Sequence, residues 1–160
     1  MKTRYYLAYG SNLNIGQMWH RCPESSAIGT AVIEDYELLF KGSQSGSYLT
    51  IEPKEGASVP VAVWSVTGQD ECYLDRYEGY PSFYYKKELT LPVTEIRSGE
   101  VRSHRCFVYI MHESRPIGVP TVDYMRICLE GYDNFGFDRT PLLTAYYNAK
   151  EKCRRERNDG

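Results

Sequence analysis

Two short stretches of the sequence combine residue types that chemistry can use. The first is Tyr9-Gly10-Ser11-Asn12-Leu13. Glycine permits a tight backbone there, and Ser11 and Asn12 favour a turn. Successive backbone N–H groups at such a turn, beside the start of a helix, form a nest for a carboxylate or a carbonyl oxygen. The second is Leu74-Asp75-Arg76-Tyr77-Glu78-Gly79-Tyr80-Pro81. Glu78 stands there between Tyr77 and Gly79, with Tyr80 close by. Aromatic neighbours exclude water from a carboxylate and raise its pKa, which suits a general base that must later return the proton. Each stretch also has a plainer reading. Strand–turn–helix junctions with Gly and Asn are common, and a Glu in a turn is ordinarily solvated. The residues alone leave both readings open.

The elements around these stretches follow from periodicity and capping signals. Residues 3–9 read as an aromatic-rich strand that ends at Gly10. Asn14 is placed to cap a short helix running to about Cys22, with Pro23 just beyond it. Candidate strands follow at 27–33, 36–41, 48–51 and 59–66, with Gly42–Ser47 as a hairpin loop. Thr67, followed by Asp70 and Glu71, starts a helix to about Arg76. Two long strands come next, Phe83–Val93 and Val101–Met111, joined by a turn containing Ser98-Gly99. Alternation groups Phe83, Tyr85, Leu89 and Leu91 on one face, opposite Tyr84, Lys86 and Glu88. The second of these strands is apolar on both faces and reads as central. Helices are expected from Thr121 to about Gly131 and from Arg139 to about Arg155, the latter capped by Asp138. Without regular βα alternation, the fold class is α+β, a curled mixed sheet or small β-barrel flanked by helices.

Composition narrows the function classes. A chain of 160 residues is read as a single domain, 1–160, with 150–160 as a basic polar tail. Apolar residues at 42% and charged residues at 25% point to a folded core. A formal net charge of −2 gives no electrostatic reason for nucleic acid or an anionic membrane as partner. No apolar run suits a membrane span and no export signal is visible, so a cytoplasmic location is expected. Five scattered cysteines without a C-x-x-C pair argue against a disulfide framework or structural zinc. His104 and His112 lie eight apart along one strand, too far to chelate one ion, so no metal site is expected. Tyrosine is abundant, at 15 residues, and could line either a core or a pocket.

Together the two stretches resemble one family. A first strand ending in Tyr-Gly-Ser-Asn-Leu, a mid-chain Leu-Asp-x-x-Glu-Gly segment and a Tyr seven residues past that Glu are similar to the γ-glutamylcyclotransferase-like (AIG2-like) superfamily, from Tyr5 to about Tyr147. The resemblance implies an enzyme that cyclises a γ-glutamyl group to 5-oxoproline and releases an amino acid or amine, without a cofactor. It implies Glu78 as the acid/base and Tyr9, Gly10, Ser11, Asn12 and Leu13 as the substrate-holding loop. It also implies Tyr85, Tyr109 and Tyr124 as pocket tyrosines. The family leaves two alternatives: the same fold acting on a specialised γ-glutamylated metabolite, or a binding module without turnover. The expected partner is a small γ-glutamyl molecule, and the sequence does not set the oligomeric state.

Overall fold

The computed structural model describes residues 3–43 and 46–159. Strands β1 (Thr3–Ala8), β2 (Ser26–Ser43), β3 (Gly46–Thr67), β4 (Tyr84–Glu95) and β5 (Val101–Met111) close into a barrel in the order β1-β3-β2-β4-β5. Every pairing is antiparallel except β1 on β5, the parallel contact that closes the ring. Helices α1 (Ile15–Arg21), α2 (Gly68–Glu78), α3 (Val122–Asn134) and α4 (Thr140–Asp159) lie around it. This is the expected α+β class with a closed sheet. No helix is long and apolar enough to cross a membrane among the described residues.

Four candidate strands merge into two long ones. Residues 27–33 and 36–41 are one strand, β2, because the polar pair Glu34-Asp35 is accommodated by a bulge and does not break it. Asp35 takes the left-handed conformation at φ 61°, which a short polar side chain tolerates, and its carboxylate accepts from Gly56 N–H at 3.0 Å. Likewise 48–51 and 59–66 belong to β3, which pairs with β2 up to Pro53 and again from Ser58, while residues 54–57 bulge between them without a register partner. The expected hairpin joins them: pairing runs to Ser43 opposite Gly46, and Gln44 and Ser45 at its tip lie outside the described residues.

The core is built where alternation and continuous apolar runs place it. In β5, Cys106 through Met111 are all buried, so the strand is central as its two apolar faces require. Leu7, Phe40, Leu49, Ile51, Val61 and Val63 fill the barrel at 0–1% exposure, each contributing roughly 1.5–3 kcal/mol. Tyr84 and Tyr85 take opposite faces of β4 as grouped, and at the strand's start the face of Tyr84 is the buried one. Tyr84 is buried at 5%, whereas Tyr85 is only partly covered and its hydroxyl donates to the exposed Glu113. The helix expected to about Arg155 runs on to Asp159, so the basic segment from Lys150 forms the last turns of α4, where Arg154 and Arg155 pair with Glu151.

Candidate active site

The loop after β1 is a single 3₁₀ turn, Ser11–Leu13, closed by Leu13 N–H donating to the Gly10 carbonyl at 3.0 Å. Asn14 then ends the turn and starts α1, its side chain accepting from Gln17 N–H at 3.2 Å. The same side chain donates to the Ile127 carbonyl and to Glu130, both at 3.1 Å, which ties the turn to α3. The N–H groups of Gly10, Ser11 and Asn12 have no acceptor among the described residues. Three free donors in succession are what an incoming oxygen needs.

Helix α2 supplies the carboxylate. Thr67 and Asp70 form a reciprocal capping box at its start, and Gly79 ends it in the left-handed conformation, φ 65° and ψ 36°. The N–H of Tyr80 reaches back to the Asp75 carbonyl at 2.9 Å and that of Gly79 to Arg76, a glycine-terminated C-cap. Glu78 is therefore the last helical residue, at the negative end of the helix dipole, where a further negative charge is disfavoured. Burial is the larger cause and pushes its carboxyl up to about 7, with the Arg21 guanidinium pulling in the opposite direction.

The turn and the carboxylate share one cavity of about 410 Å³. Tyr6, Tyr9, Tyr84 and Tyr109 form its deep walls, all at or below 6% exposure. Each of their phenols is held. Tyr9 donates to the Tyr109 carbonyl at 2.6 Å, Tyr109 to Asp75 at 2.6 Å and Tyr84 to the Leu49 carbonyl at 2.7 Å. Tyr6 accepts from Asn12 at 2.9 Å, and Tyr124 accepts from Leu49 N–H at 3.1 Å. Burial raises the pKa of all five phenols, so they stand as neutral, oriented hydroxyls. Arg21 braces the entrance: it donates to Asn12 and Gln17 and lies 3.4 Å from the centre of the Tyr77 ring. Among the described residues, no three His, Cys, Asp or Glu side chains gather to hold a metal ion. His112 instead faces the Pro81 carbonyl at 2.8 Å, and His104 packs edge-on against Tyr5.

The sequence and the fold have known counterparts. The family model described as "Gamma-glutamyl cyclotransferase, AIG2-like" matches residues 6–126. The chain belongs to this family. Proteins named "Gamma-glutamylcyclotransferase" from Homo sapiens and Bos taurus are 29% and 30% identical to it, over 81% of this chain and 70% of each relative. A solved structure titled "Gamma-glutamyl cyclotransferase" superposes with a TM-score of 0.74 at 25% identity, covering 93% of this chain and 87% of that one.

Of the residues that the γ-glutamylcyclotransferase resemblance singled out, Tyr9, Gly10, Ser11, Asn12, Glu78, Tyr109 and Tyr124 line the one cavity. Two do not. Leu13 is fully buried and packs beneath the turn, where the missing side chain of Gly131 on α3 makes room for it. Tyr85 points away because β4 enters the sheet with Tyr84 facing inward, and alternation then turns the next side chain outward. The sequence reading did not place Tyr6, Tyr48, Leu49 or Tyr84 in the pocket, whereas Tyr77, which it set beside Glu78, lines it, as do Arg76, Gly79 and Phe83. Tyr6 has the opposite parity to Tyr9, so alternation gave no signal for it. Nothing local marks Tyr48 or Leu49 either; long-range contacts bring them there, Leu49 N–H donating to Tyr124 and its carbonyl accepting from Tyr84. The free N–H groups carry an expectation of their own: a crystal soaked in 5-oxoproline or formate should show a ligand oxygen on residues 10–12. A soak that leaves those donors unliganded while the compound binds elsewhere counts against an oxygen nest.

Proposed function

We propose that this protein is a γ-glutamylcyclotransferase that uses Glu78 as its general acid/base. What carries the reading is a carboxyl group that burial pushes up to about 7, in the same cavity as three backbone N–H groups without an acceptor among the described residues. A γ-glutamyl compound brings its own nucleophile, the α-amino nitrogen, so the protein must position and manage protons. The loop donors and neutral phenols suit the substrate's oxygens. Glu78 takes a proton from the α-ammonium, and the freed nitrogen attacks the γ-carbonyl carbon. The carbonyl oxygen becomes an oxyanion held by hydrogen-bond donors, which strengthen as charge develops. The attacking nitrogen still carries two hydrogens. As the γ-carbon–nitrogen bond breaks, Glu78 gives its proton to the departing amine and then takes the second proton from the ring nitrogen, passing it on to the freed amine or to water; 5-oxoproline remains. Holding the chain folded for this attack can supply effective molarities of about 10⁵–10⁸ M. A carboxyl pKa near 7 matches an α-amino group of about 7.7–8.0 far better than a free Glu at about 4.3.

Release of 5-oxoproline from a panel of γ-glutamyl amino acids and amines tests the reading directly. Release from none of them, with the protein folded, would remove it. A binding module has no need of a carboxyl held near neutrality, which favours turnover over mere capture.

The electrostatics fix a pH dependence. The active base is the ionised carboxylate, so kcat/KM is expected to rise with pH through an apparent pKa near 7. Arg21 favours the ionised form, so Arg21→Gln should move that limb to higher pH, whatever it does to the maximum rate. A limb at about 4.3, or one displaced downward in the variant, contradicts the buried-base assignment.

A further inference from the structure

The rim of the cavity differs from its floor. The floor residues are almost fully buried, whereas Tyr77 and Tyr48 remain 44% and 37% exposed although both line the same space. Tyr77 also lines a shallower outer depression with His20, Arg21 and Pro23, so its ring is the wall between the two. The Arg21 guanidinium, which donates to Asn12 and Gln17, lies 3.4 Å from the ring centre and covers one face of it. The Tyr77 hydroxyl is held by Ser11 Oγ at 3.1 Å. The ring is thus fixed at both face and edge before anything binds, and needs no further ordering to stack. Further along the rim, Tyr48 and Phe83 meet edge to face, ring centres 6.4 Å apart, and Arg115 sits 4.4 Å over Phe83. The cavity thus has three rim rings, two of them backed by guanidinium groups.

On the cyclisation reading, the polar glutamyl end belongs with the turn donors and Glu78, so the departing amine occupies the rim. We infer that the preferred substrates are γ-glutamyl conjugates whose departing amine carries a flat aromatic group, packed against the Tyr77, Tyr48 and Phe83 rings that line the cavity rim. A small aliphatic amine reaches none of these rings and gains nothing from their fixed geometry.

The test compares L-γ-glutamyl-L-phenylalanine with L-γ-glutamyl-L-alanine, which differ only in the phenyl ring. The expected ratio of kcat/KM is about tenfold or more in favour of the aromatic conjugate. Tyr77→Leu should bring the ratio toward one, and Tyr77→Phe, which keeps the ring, should preserve it. A wild-type ratio near one, or favouring alanine, overturns the inference while leaving cyclisation intact. So does a ratio that survives Tyr77→Leu. If neither conjugate yields 5-oxoproline, the wider panel decides the proposed function separately, and calorimetry on the same two compounds decides the stacking. Binding about tenfold tighter for the phenylalanine conjugate supports it, and equal affinity overturns it.

Discussion

Replacing Glu78 with glutamine is expected to lower kcat by about 10²-fold or more while leaving the fold intact. Glutamine keeps the shape and can still hydrogen-bond, but it cannot accept the ammonium proton or return it to the amine. The same change should stabilise the protein in alkaline buffer. Glu78 has a folded pKa near 7, above its ordinary value of 4.5, so the folded state holds its proton more tightly than the unfolded state does. Its contribution is fully favourable below the unfolded value and is lost as pH rises through 7. Glu78→Gln should therefore melt higher than the wild type at pH 8, with the difference closing below about pH 5. Near-normal turnover in a variant with unaltered melting would remove Glu78 from the mechanism. A lower melting temperature at pH 8 would contradict the buried carboxylate on its own.

The second large effect is expected far from any reacting atom, at Gly131→Ala. A Cβ at this position would stand 2.6 Å from Leu13 Cβ, 2.7 Å from the Asn14 nitrogen and 2.9 Å from the Leu13 carbonyl carbon. Alanine favours a helix interior over glycine by about 1 kcal/mol. Overpacking against atoms that cannot rotate away costs about 1–3 kcal/mol, and two of these three are backbone atoms. The clash should win, with melting lowered by several degrees. It also presses directly on the turn that carries the free N–H groups. Displacing positioning groups by about 1 Å can cost 10²-fold in rate, so turnover should fall more than stability does. Unchanged melting and unchanged 5-oxoproline release together would show that α3 does not set the position of the turn.

What the sequence disclosed and what it withheld divide along physical lines. Caps are local, and Asn14, Thr67, Thr121 and Asp138 each have a backbone or side-chain partner at the predicted helix start. The central character of β5 was legible because two buried faces demand an unbroken apolar run. Glu78 beside Gly79 was legible as a candidate because a C-terminal glycine and aromatic neighbours are written in adjacent positions. Long strands were harder, since polar pairs such as Glu34-Asp35 look like turns until a partner strand is known to pass them. The orientation of Tyr84 and Tyr85 depends on where the strand enters the sheet, and a slip of one residue exchanges them. The turn's dependence on Gly131 and the Arg21–Tyr77 stack join segments 118 and 56 residues apart, which no local pattern can announce.

The parallel contact between β1 and β5 also bears on how the molecule comes together. Tyr5 lies opposite both Ser65 and Cys106, so β1 waits for two partners far along the chain. Such pairings bear the entropy of long loop closure before they return any stability, which places the protein among slower, topologically demanding folders. The 3₁₀ turn hangs from the end of β1, and Tyr109 belongs to β5. Neither side of the cavity is in place until the ring shuts. Assembly of the pocket and completion of the fold are therefore expected to be one kinetic event. A nascent chain released before Met111 should have no partial activity to show.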